Sequence, residues 1–194
     1  MLGLFLTTSA GTWDITGLVR QITWSGSLSQ GARTLSFDMA SPPYGPAVTV
    51  PELPPGAGVA FYQDERLLFS GFVISRSRAA ESGSVSVTCY DRGFYLLKNQ
   101  GIYQFRAQTP AAIVRRGCAD FGIQTGILAD PETKVTRNFI GTALYKILMT
   151  AYTLAAEEDG KAYQIRFRGE RLDVVEIEKN DETLILEGGV NLQS

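Results

Sequence analysis

Alternating apolar and polar positions dominate the first half of the chain and predict antiparallel strands. Residues 58–62 and 67–76 are apolar runs on either side of a polar tip, residues 63–66, which is the pattern of a β-hairpin. A third strand follows over residues 84–89, where serine and threonine alternate with valine and cysteine, so that one face is apolar and the other polar. Residues 2–7 are predicted to form a further strand with apolar residues on both faces.

Two further features surround this β-meander. Residues 13–24 and 35–39 continue the extended pattern and are predicted to form a long hairpin, with its tip near residues 29–32. Asp91 ends the third strand and is expected to be the structural cap of a short helix over residues 92–99. Its carboxylate would accept the free N–H groups of the first helical turn.

The second half of the chain changes from strand-like alternation to helical spacing. Thr109 followed by Pro110 is a strong start signal, with Thr109 as the structural cap and proline at the position where its missing N–H costs nothing. A second helix is predicted over about residues 142–158, with an apolar stripe on one face and Gly160 as its C-terminal cap. The two helices are expected to pack together.

The order of these elements predicts the domain organisation. A last hairpin over residues 163–168 and 172–177 completes the second half. The predicted fold class is β-rich α+β, with an antiparallel β-barrel-like domain over residues 1–100 and a small two-helix plus hairpin α+β domain over residues 101–180. Residues 181–194 are predicted to start a further strand.

A proline-rich stretch over residues 41–56 interrupts the strands. It contains six of the eight prolines, and proline cannot donate to a β-ladder, so the stretch is predicted to be a surface loop. The loop is either a stiff connector or a protruding contact loop in which Tyr44 and Leu53 are the anchors. For the face that contacts a partner, we predict this loop together with the strand that contains Phe61 and Tyr62.

The amino-acid composition limits which catalytic and metal-binding sites the chain can form. The chain has no histidine, which removes the commonest proton shuttle and metal ligand, and its two cysteines, Cys89 and Cys118, form no CxxC pair. Both cysteines are predicted to be buried free thiols. Since no phosphate-loop, dinucleotide or calcium-loop motif is present either, no metal site, no cofactor and no catalytic residue is predicted.

Charge and hydrophobicity bear on partners and location. The formal net charge of −2 gives no basic field, so sequence-specific nucleic-acid binding is not expected. No apolar run approaches the roughly 18 residues that cross a bilayer, so no membrane insertion is predicted. The first residues lack the basic start of a signal peptide, which indicates synthesis in the cytoplasm.

The acidic residues do not form a catalytic pair. Residues 157–159 are interpreted as a solvated helix end, because side chains adjacent in sequence diverge around a helix. Asp64 and Glu65 are neighbours at an exposed hairpin tip, whereas glycoside hydrolysis needs two carboxyl groups that face each other across a cleft. The sequence therefore indicates a protein that is not an enzyme.

The segment from Val85 to Asn99 resembles the XkdQ/YqbQ family of phage and prophage tail proteins. The resemblance continues on both sides in the expected order, and its further pieces are Leu68 to Val73, Thr109 to Ile113, Phe121 to Ile123, Tyr145 to Leu148, Gly160 to Tyr163 and Gly169 to Val175. Together these pieces cover most of the chain. The family is similar to the gpD-like and Mu-like hub proteins of contractile tails.

This resemblance implies a structural role in a virion or phage-like tail particle. Three copies of the full-length protein would form a homotrimeric ring in the baseplate, which joins the tail tube protein to the spike and contacts other baseplate proteins. Hubs of this kind carry two β-barrels with a small α/β domain inserted. The strands predicted from this sequence are enough for one barrel. The second barrel is therefore expected to be missing or truncated, with residues 181–194 as its start.

Two other functions stay open. One is a cell-wall (peptidoglycan) hydrolase attached to a tail, which would need an acid pair at catalytic separation in a cleft. The other is a carbohydrate-binding β-module that would use Trp13, Trp24 or Tyr103. These aromatic residues are nevertheless predicted to lie in the core.

Overall fold

Strands make up most of the regular structure in the part of the chain that the computed structural model describes, which is residues 1–26, 31–40, 51–78 and 84–177. In chain order the elements are β1 (Leu2–Thr8), β2 (Gly11–Asp14), β3 (Val19–Ser25), β4 (Thr34–Ala40), β5 (Gly58–Gln63), β6 (Arg66–Arg78), β7 (Ser84–Asp91), α1 (Gly93–Lys98), β8 (Gln100–Gln108), α2 (Pro110–Asp120), β9 (Gln124–Leu128), β10 (Val135–Ala143), α3 (Leu144–Asp159), β11 (Tyr163–Arg168) and β12 (Arg171–Glu176). The predicted β-rich α+β fold class is confirmed.

Seven strands form one antiparallel sheet in the order β2-β1-β5-β6-β7-β4-β3, which makes a half-barrel. The predicted meander is present as β5, β6 and β7, and the predicted long hairpin is present as β3 and β4. Part of the tip of that hairpin, residues 27–30, lies outside the described residues. The predicted strand start at residues 181–194 lies outside them as well.

Alternation along the strands places one set of side chains in a common core. Opposed residues of antiparallel strands point to the same face, so the apolar positions of neighbouring strands meet on the inner side of the sheet. The buried members of this first core are Leu4, Leu6, Ile15, Leu35, Phe37, Met39, Leu53, Ala57, Val59, Phe61, Phe69, Val73, Val87 and Cys89. All of them precede α1.

The segment between β2 and β3 differs from the continuous extended chain that the sequence predicted. A short 3-10 turn at Thr16–Leu18 separates the two strands. The Asp14 carboxylate accepts the N–H of Thr16 at 3.0 Å, and the Thr16 hydroxyl accepts the N–H of Leu4 at 2.8 Å. Hydrogen bonds from Thr16 also lower the pKa of Asp14. These local bonds explain why the chain turns here although its apolar residues alternate.

Helices and short strands form a second core that begins with Leu96 of α1. Helices α2 and α3 are present as predicted, and they pack so closely that a Cβ at Gly117 would lie 2.6 Å from Leu144 Cδ1. Gly160 ends α3 in the left-handed conformation, with φ at 70°. The buried members of this core are Leu96, Phe105, Ile113, Val114, Cys118, Val135, Phe139, Leu144, Ile147, Leu148, Ala151, Tyr152, Leu172 and Val174.

Three strands in this second half were not predicted. β8 and β10 pair antiparallel as a two-stranded ribbon, and β9 pairs parallel with β12, which also forms the predicted hairpin with β11. The ribbon turns its aromatic side, Tyr103, Phe105 and Phe139, towards the helices of the second core. The second half is therefore richer in strand than two helices and one hairpin.

Candidate interaction surfaces

The outer face of β1 and β5 carries a groove of about 630 Å³ that is mostly apolar, with Asp14, Asp64 and Glu65 also along its lining. Phe5 is opposite Ala60 in the register of these strands, and Gly3 is opposite Tyr62. The core residues Leu4 and Phe61 point to the other side of the sheet because side chains alternate along a strand. We call this surface, formed by Leu2, Gly3, Phe5, Thr7, Ala60 and Tyr62, the outer groove.

Two half-buried aromatic rings form the centre of the outer groove. The rings of Phe5 and Tyr62 meet edge to face, with centroids 5.7 Å apart and an interplanar angle of 85°. A Cβ at Gly3 would lie 3.1 Å from the Phe5 ring, so glycine leaves room for that ring on the strand surface. Edge-to-face packing is a favoured arrangement of two aromatic rings, so each ring supports the position of the other.

The structure separates the four residues that the sequence predicted as contacts. Tyr44 lies outside the described residues. Leu53 is 3% exposed and Phe61 is 5% exposed, and both belong to the first core rather than to a contact surface. Phe61 is buried because it alternates with Tyr62, and Leu53 because the end of the proline-rich stretch returns to the sheet. Among these residues, Tyr62 reaches the described surface.

The two predicted structural caps occupy the starts of helices. Thr109 is the N-cap of α2, and its hydroxyl accepts the N–H of Ala112 at 3.3 Å. The Asp91 carboxylate accepts the N–H of Gly93, the first residue of α1, at 2.9 Å, although the N-cap position itself belongs to Arg92. Burial raises the pKa of Asp91, while this bond and the nearby Arg33 oppose the rise.

The half-barrel has an edge strand at each end of its sheet, and both edges carry a tryptophan. Within the described residues β2 pairs with β1 and β3 with β4, so the other side of each strand faces no further strand. Trp13 is 39% exposed and Trp24 is 44% exposed. The prediction that these tryptophans lie in the core is therefore wrong, because the sheet does not close over its edges.

The ribbon of β8 and β10 exposes two isoleucines that the sequence analysis did not single out. Ile102 is 78% exposed and Ile140 is 79% exposed. Tyr103 is opposite Phe139 in the register of β8 and β10, and Ile102 and Ile140 are the adjacent residues on the two strands. The register shifts next to Gly141, whose φ is 55°. The two isoleucines thus lie close to each other on the face of the ribbon turned away from the second core, where alternation alone indicates exposure.

The charged and thiol groups serve structural contacts. At the end of α3, Glu158 accepts a hydrogen bond from the Thr133 hydroxyl at 2.6 Å, and Asp159 accepts the N–H of Lys161 at 2.9 Å.

The prediction that both cysteines are buried free thiols is confirmed. Among the described residues, no three His, Cys, Asp or Glu side chains lie close enough together to hold a metal ion.

Across the described ranges, none of the helices combines the length and the apolar composition that a membrane crossing requires.

Sequence comparison relates the chain to one protein family and to two proteins of Bacillus subtilis. The sequence profile of the YQBQ-like family matches residues 22–194. The phage-like element PBSX protein XkdQ of Bacillus subtilis (strain 168) is 30% identical over 141 residues, which is 71% of this chain and 42% of that protein. The uncharacterized protein YqbQ of the same strain is 30% identical over 139 residues, with the same two shares. The aligned part therefore spans less than half the length of these relatives.

Structural comparison finds the same fold in two solved tail proteins. The 43 kDa tail protein of prophage MuSo2 from Shewanella oneidensis is similar with a TM-score of 0.66 at 15% identity, over 89% of this chain and 54% of that one. The tail protein from Neisseria meningitidis MC58 is similar with a TM-score of 0.64 at 13% identity, over 89% of this chain and 51% of that one. At such identities the likeness concerns the fold.

Proposed function

The chain belongs to the YQBQ-like family, and from this membership we propose that it is a structural component of a phage or phage-like tail. The observation that carries the proposal is the fold, which two tail proteins share over 89% of this chain. The relative XkdQ is a protein of the phage-like element PBSX, which agrees with the same role. The place of action would be the virion or tail particle.

More specifically, we propose that the parent protein is a baseplate hub of a contractile tail. It would join the tail tube to the spike as a homotrimeric ring and would contact other baseplate proteins. In this arrangement residues 1–100 are the barrel-like hub domain, residues 101–180 are the inserted α+β domain, and residues 181–194 lead into a second barrel. A ring of this kind needs contacts of about 800 Å² on each partner.

The outer groove is the surface that we assign to a neighbouring subunit. It is mostly apolar, Phe5 and Tyr62 pack edge to face at its centre, and it lies on the face of the sheet that the first core does not use. Aromatic residues held in fixed positions are the usual centres of protein interfaces, because they bury a large area at little entropic cost. This role involves no catalysis.

A carbohydrate-binding β-module is the second candidate, because Trp13 and Trp24 are partly exposed. Sugars stack on such rings, so glycan binding would change tryptophan fluorescence. The chain has two tryptophans, and both are on edge strands, so the signal would report directly on the proposed site. A titration with purified peptidoglycan fragments that leaves the fluorescence unchanged would reject this candidate.

The structural role is tested in the phage or prophage that encodes the chain. We expect deletion of the gene to remove complete tails, and a tagged copy of the full gene product to restore them and to be found in purified particles by mass spectrometry. Native mass measurement of the full product should give three copies. Normal tails without the gene would contradict the tail role, whereas a monomeric product that is present in tails would contradict only the ring.

A further inference from the structure

A second concave surface lies where the half-barrel meets the β11–β12 hairpin. It is a cleft of about 460 Å³ between the start of β6, the end of β3 and the turn that joins β11 to β12. Four arginines line it, namely Arg33, Arg66, Arg166 and Arg168, and Asp91 is the acidic residue among the lining residues. The lining of this cleft is therefore positively charged, although the chain as a whole carries a net charge of −2. We call it the arginine cleft.

Two of the four arginines already have acidic partners. The Nε atom of Arg168 is 3.2 Å from Asp173 Oδ2, and the Asp173 side chain is fully buried. Arg33 lies near the buried carboxylate of Asp91. Burial raises the pKa of Asp91, and the charge of Arg33 acts in the opposite direction with a smaller effect. These two arginines therefore compensate buried acids and have limited capacity for a further anion.

The other two arginines are available to a ligand. Neither Arg66 nor Arg166 belongs to an ion pair within residues 1–26, 31–40, 51–78 and 84–177. Arg166 is opposite Asp173 in the register of β11 and β12, yet the ion pair of that carboxylate is with Arg168. Both free guanidinium groups are on exposed residues, so an incoming anion would meet them without first breaking an internal pair.

The cleft also has an apolar wall. Trp24 and Leu67, which line it, are among the exposed large hydrophobic residues of the chain, and half-buried Phe167 is a further lining residue. A site that binds phosphate typically uses backbone N–H groups at helix N-termini or in glycine-rich loops. Here the two remaining cations, Arg66 and Arg166, are side chains of strands β6 and β11, and an apolar surface lies beside them, which a phosphate group would leave uncovered.

We propose that the arginine cleft binds an acidic peptide segment of a partner protein. Two carboxylates of the segment pair with Arg66 and Arg166, since the planar guanidinium group matches a carboxylate in a bidentate way. An apolar side chain between the carboxylates packs against Trp24 and Leu67. The inference goes beyond the tail role, because it concerns a different surface from the outer groove and names the chemistry of the partner.

Peptide binding to the purified chain tests this assignment. The probe is a fluorescein-labelled peptide of sequence Glu-Glu-Leu-Glu-Glu-Leu, and its neutral counterpart has glutamine at every glutamate position. Fluorescence anisotropy at low and at high salt gives the affinities. The cleft variant is Arg66→Gln with Arg166→Gln, and the matched control is Arg106→Gln with Arg115→Gln, which removes the same charge from exposed positions outside the cleft.

We expect the cleft variant to bind the acidic peptide about tenfold more weakly than the unchanged chain, which is on the order expected for two partly solvated charge-assisted contacts. The control variant should stay within about twofold. The neutral peptide should bind far more weakly than the acidic one. Trp24→Ala should also weaken binding, and this loss should persist at high salt because it concerns an apolar contact.

Three outcomes would overturn the proposal. Equal loss of affinity in the cleft and control variants would mean that the peptide follows net charge rather than a site. No difference between acidic and neutral peptide would exclude carboxylate recognition. Displacement of the peptide by inorganic phosphate at a lower concentration than by glutamate would assign the cleft to a phosphate ligand. None of these results depends on whether the chain is part of a tail.

Discussion

Gly93, the first residue of α1, lies directly against the backbone of Gly31, so closely that a Cβ at position 93 would be 1.8 Å from the carbonyl oxygen of Gly31. Gly31 in turn lies between helices α1 and α3, where a Cβ would come within 2.8 Å of Tyr145 and 2.9 Å of Leu97. The chain before β4 therefore contacts the backbone of α1 directly and lies close to side chains of α1 and α3, and two glycines make that approach sterically allowed.

Replacing Gly93 should disturb this contact. We expect Gly93→Ala to lower the free energy of unfolding by about 2 to 3 kcal/mol, because the clash is with backbone that cannot rotate away. Chemical denaturation followed by circular dichroism measures the change. The control is Gly17→Ala, where a Cβ would meet nothing within 4 Å, and it should change stability by less than about 0.5 kcal/mol.

Equal stabilities of Gly93→Ala and Gly17→Ala would contradict the close approach of Gly31 and Gly93. A selective loss at position 93 would support it. Unfolding in two separate transitions in Gly93→Ala would further indicate that the two cores lose their connection while each stays folded.

The buried carboxylate of Asp173 provides a second stability prediction. Its Oδ1 atom accepts the N–H of Ile127 at 2.8 Å, and a Cβ at Gly126 would lie 2.1 Å from the same atom. Asp173→Ala should cost about 1 to 3 kcal/mol, because the N–H of Ile127 loses its acceptor inside the protein. Asp173→Asn keeps an oxygen acceptor and should cost less.

The matched control for Asp173 is an acid in an exposed pair. Glu176 accepts a hydrogen bond from Lys161 at 2.8 Å, with both side chains close to half exposed. Glu176→Gln should change stability by less than about 1 kcal/mol, since exposed ion pairs contribute little. Thermal unfolding of the three variants compares them. A larger loss for Glu176→Gln than for Asp173→Ala would reject the structural role of Asp173.

The two buried thiols should resist modification until the protein unfolds. Burial raises the pKa of Cys89 and of Cys118 to about 12, so both thiols are neutral at pH 8 and the reactive thiolate is scarce. We expect no labelling by a thiol reagent in the native state and two labels per chain in denaturant, counted by mass spectrometry. Rapid native labelling of either cysteine would contradict its burial.

The same pKa shift predicts how stability responds to alkaline pH. The folded state raises the pKa of these thiols, so their contribution to stability is complete below the unfolded value near 9 and is lost as the pH rises towards 12. Cys89→Ala with Cys118→Ala should therefore reduce the pH dependence of unfolding above pH 9. An unchanged slope would mean that other groups cause it.

The fold could be predicted where alternation is regular and local signals agree. The turn at Asp64, the cap at Thr109 and the left-handed Gly160 each follow from one or two residue types at known positions. By contrast, Ile102 interrupts the polar face of β8, and the spacing of Tyr103 and Phe105 is the signal of its buried side. Its partner β10 is distant in sequence, and such pairing leaves no local pattern.

The surfaces were less accessible to sequence reasoning than the fold. Tyr62 could be chosen because it alternates with Phe61, but alternation does not tell which face of a strand is covered. The exposure of Trp13 depends on the position of β2 at the edge of the sheet, and Arg166 and Arg66 line the same cleft through the arrangement of distant strands. Such proximity is a property of the tertiary structure.

The contact between Phe5 and Tyr62 leads to the prediction for assembly. Tyr62→Asp places a charge in the outer groove, so a partner that covers this groove would have to bury an unpaired carboxylate. We expect the number of complete tails, counted by electron microscopy after complementation with the full gene product, to fall at least about tenfold. The variant itself should lose only about 0.5 to 1.5 kcal/mol of stability, the usual contribution of an aromatic pair.

The matched control is Tyr95→Asp, which introduces the same charge at a tyrosine on α1 that is also partly exposed. If the outer groove is the contact surface, Tyr95→Asp supports assembly while Tyr62→Asp does not. Phe5→Leu keeps an apolar side chain in the groove and should reduce assembly less than Tyr62→Asp. Normal tails with Tyr62→Asp, or equal defects in both tyrosine variants, would show that neighbouring subunits bind elsewhere on the chain.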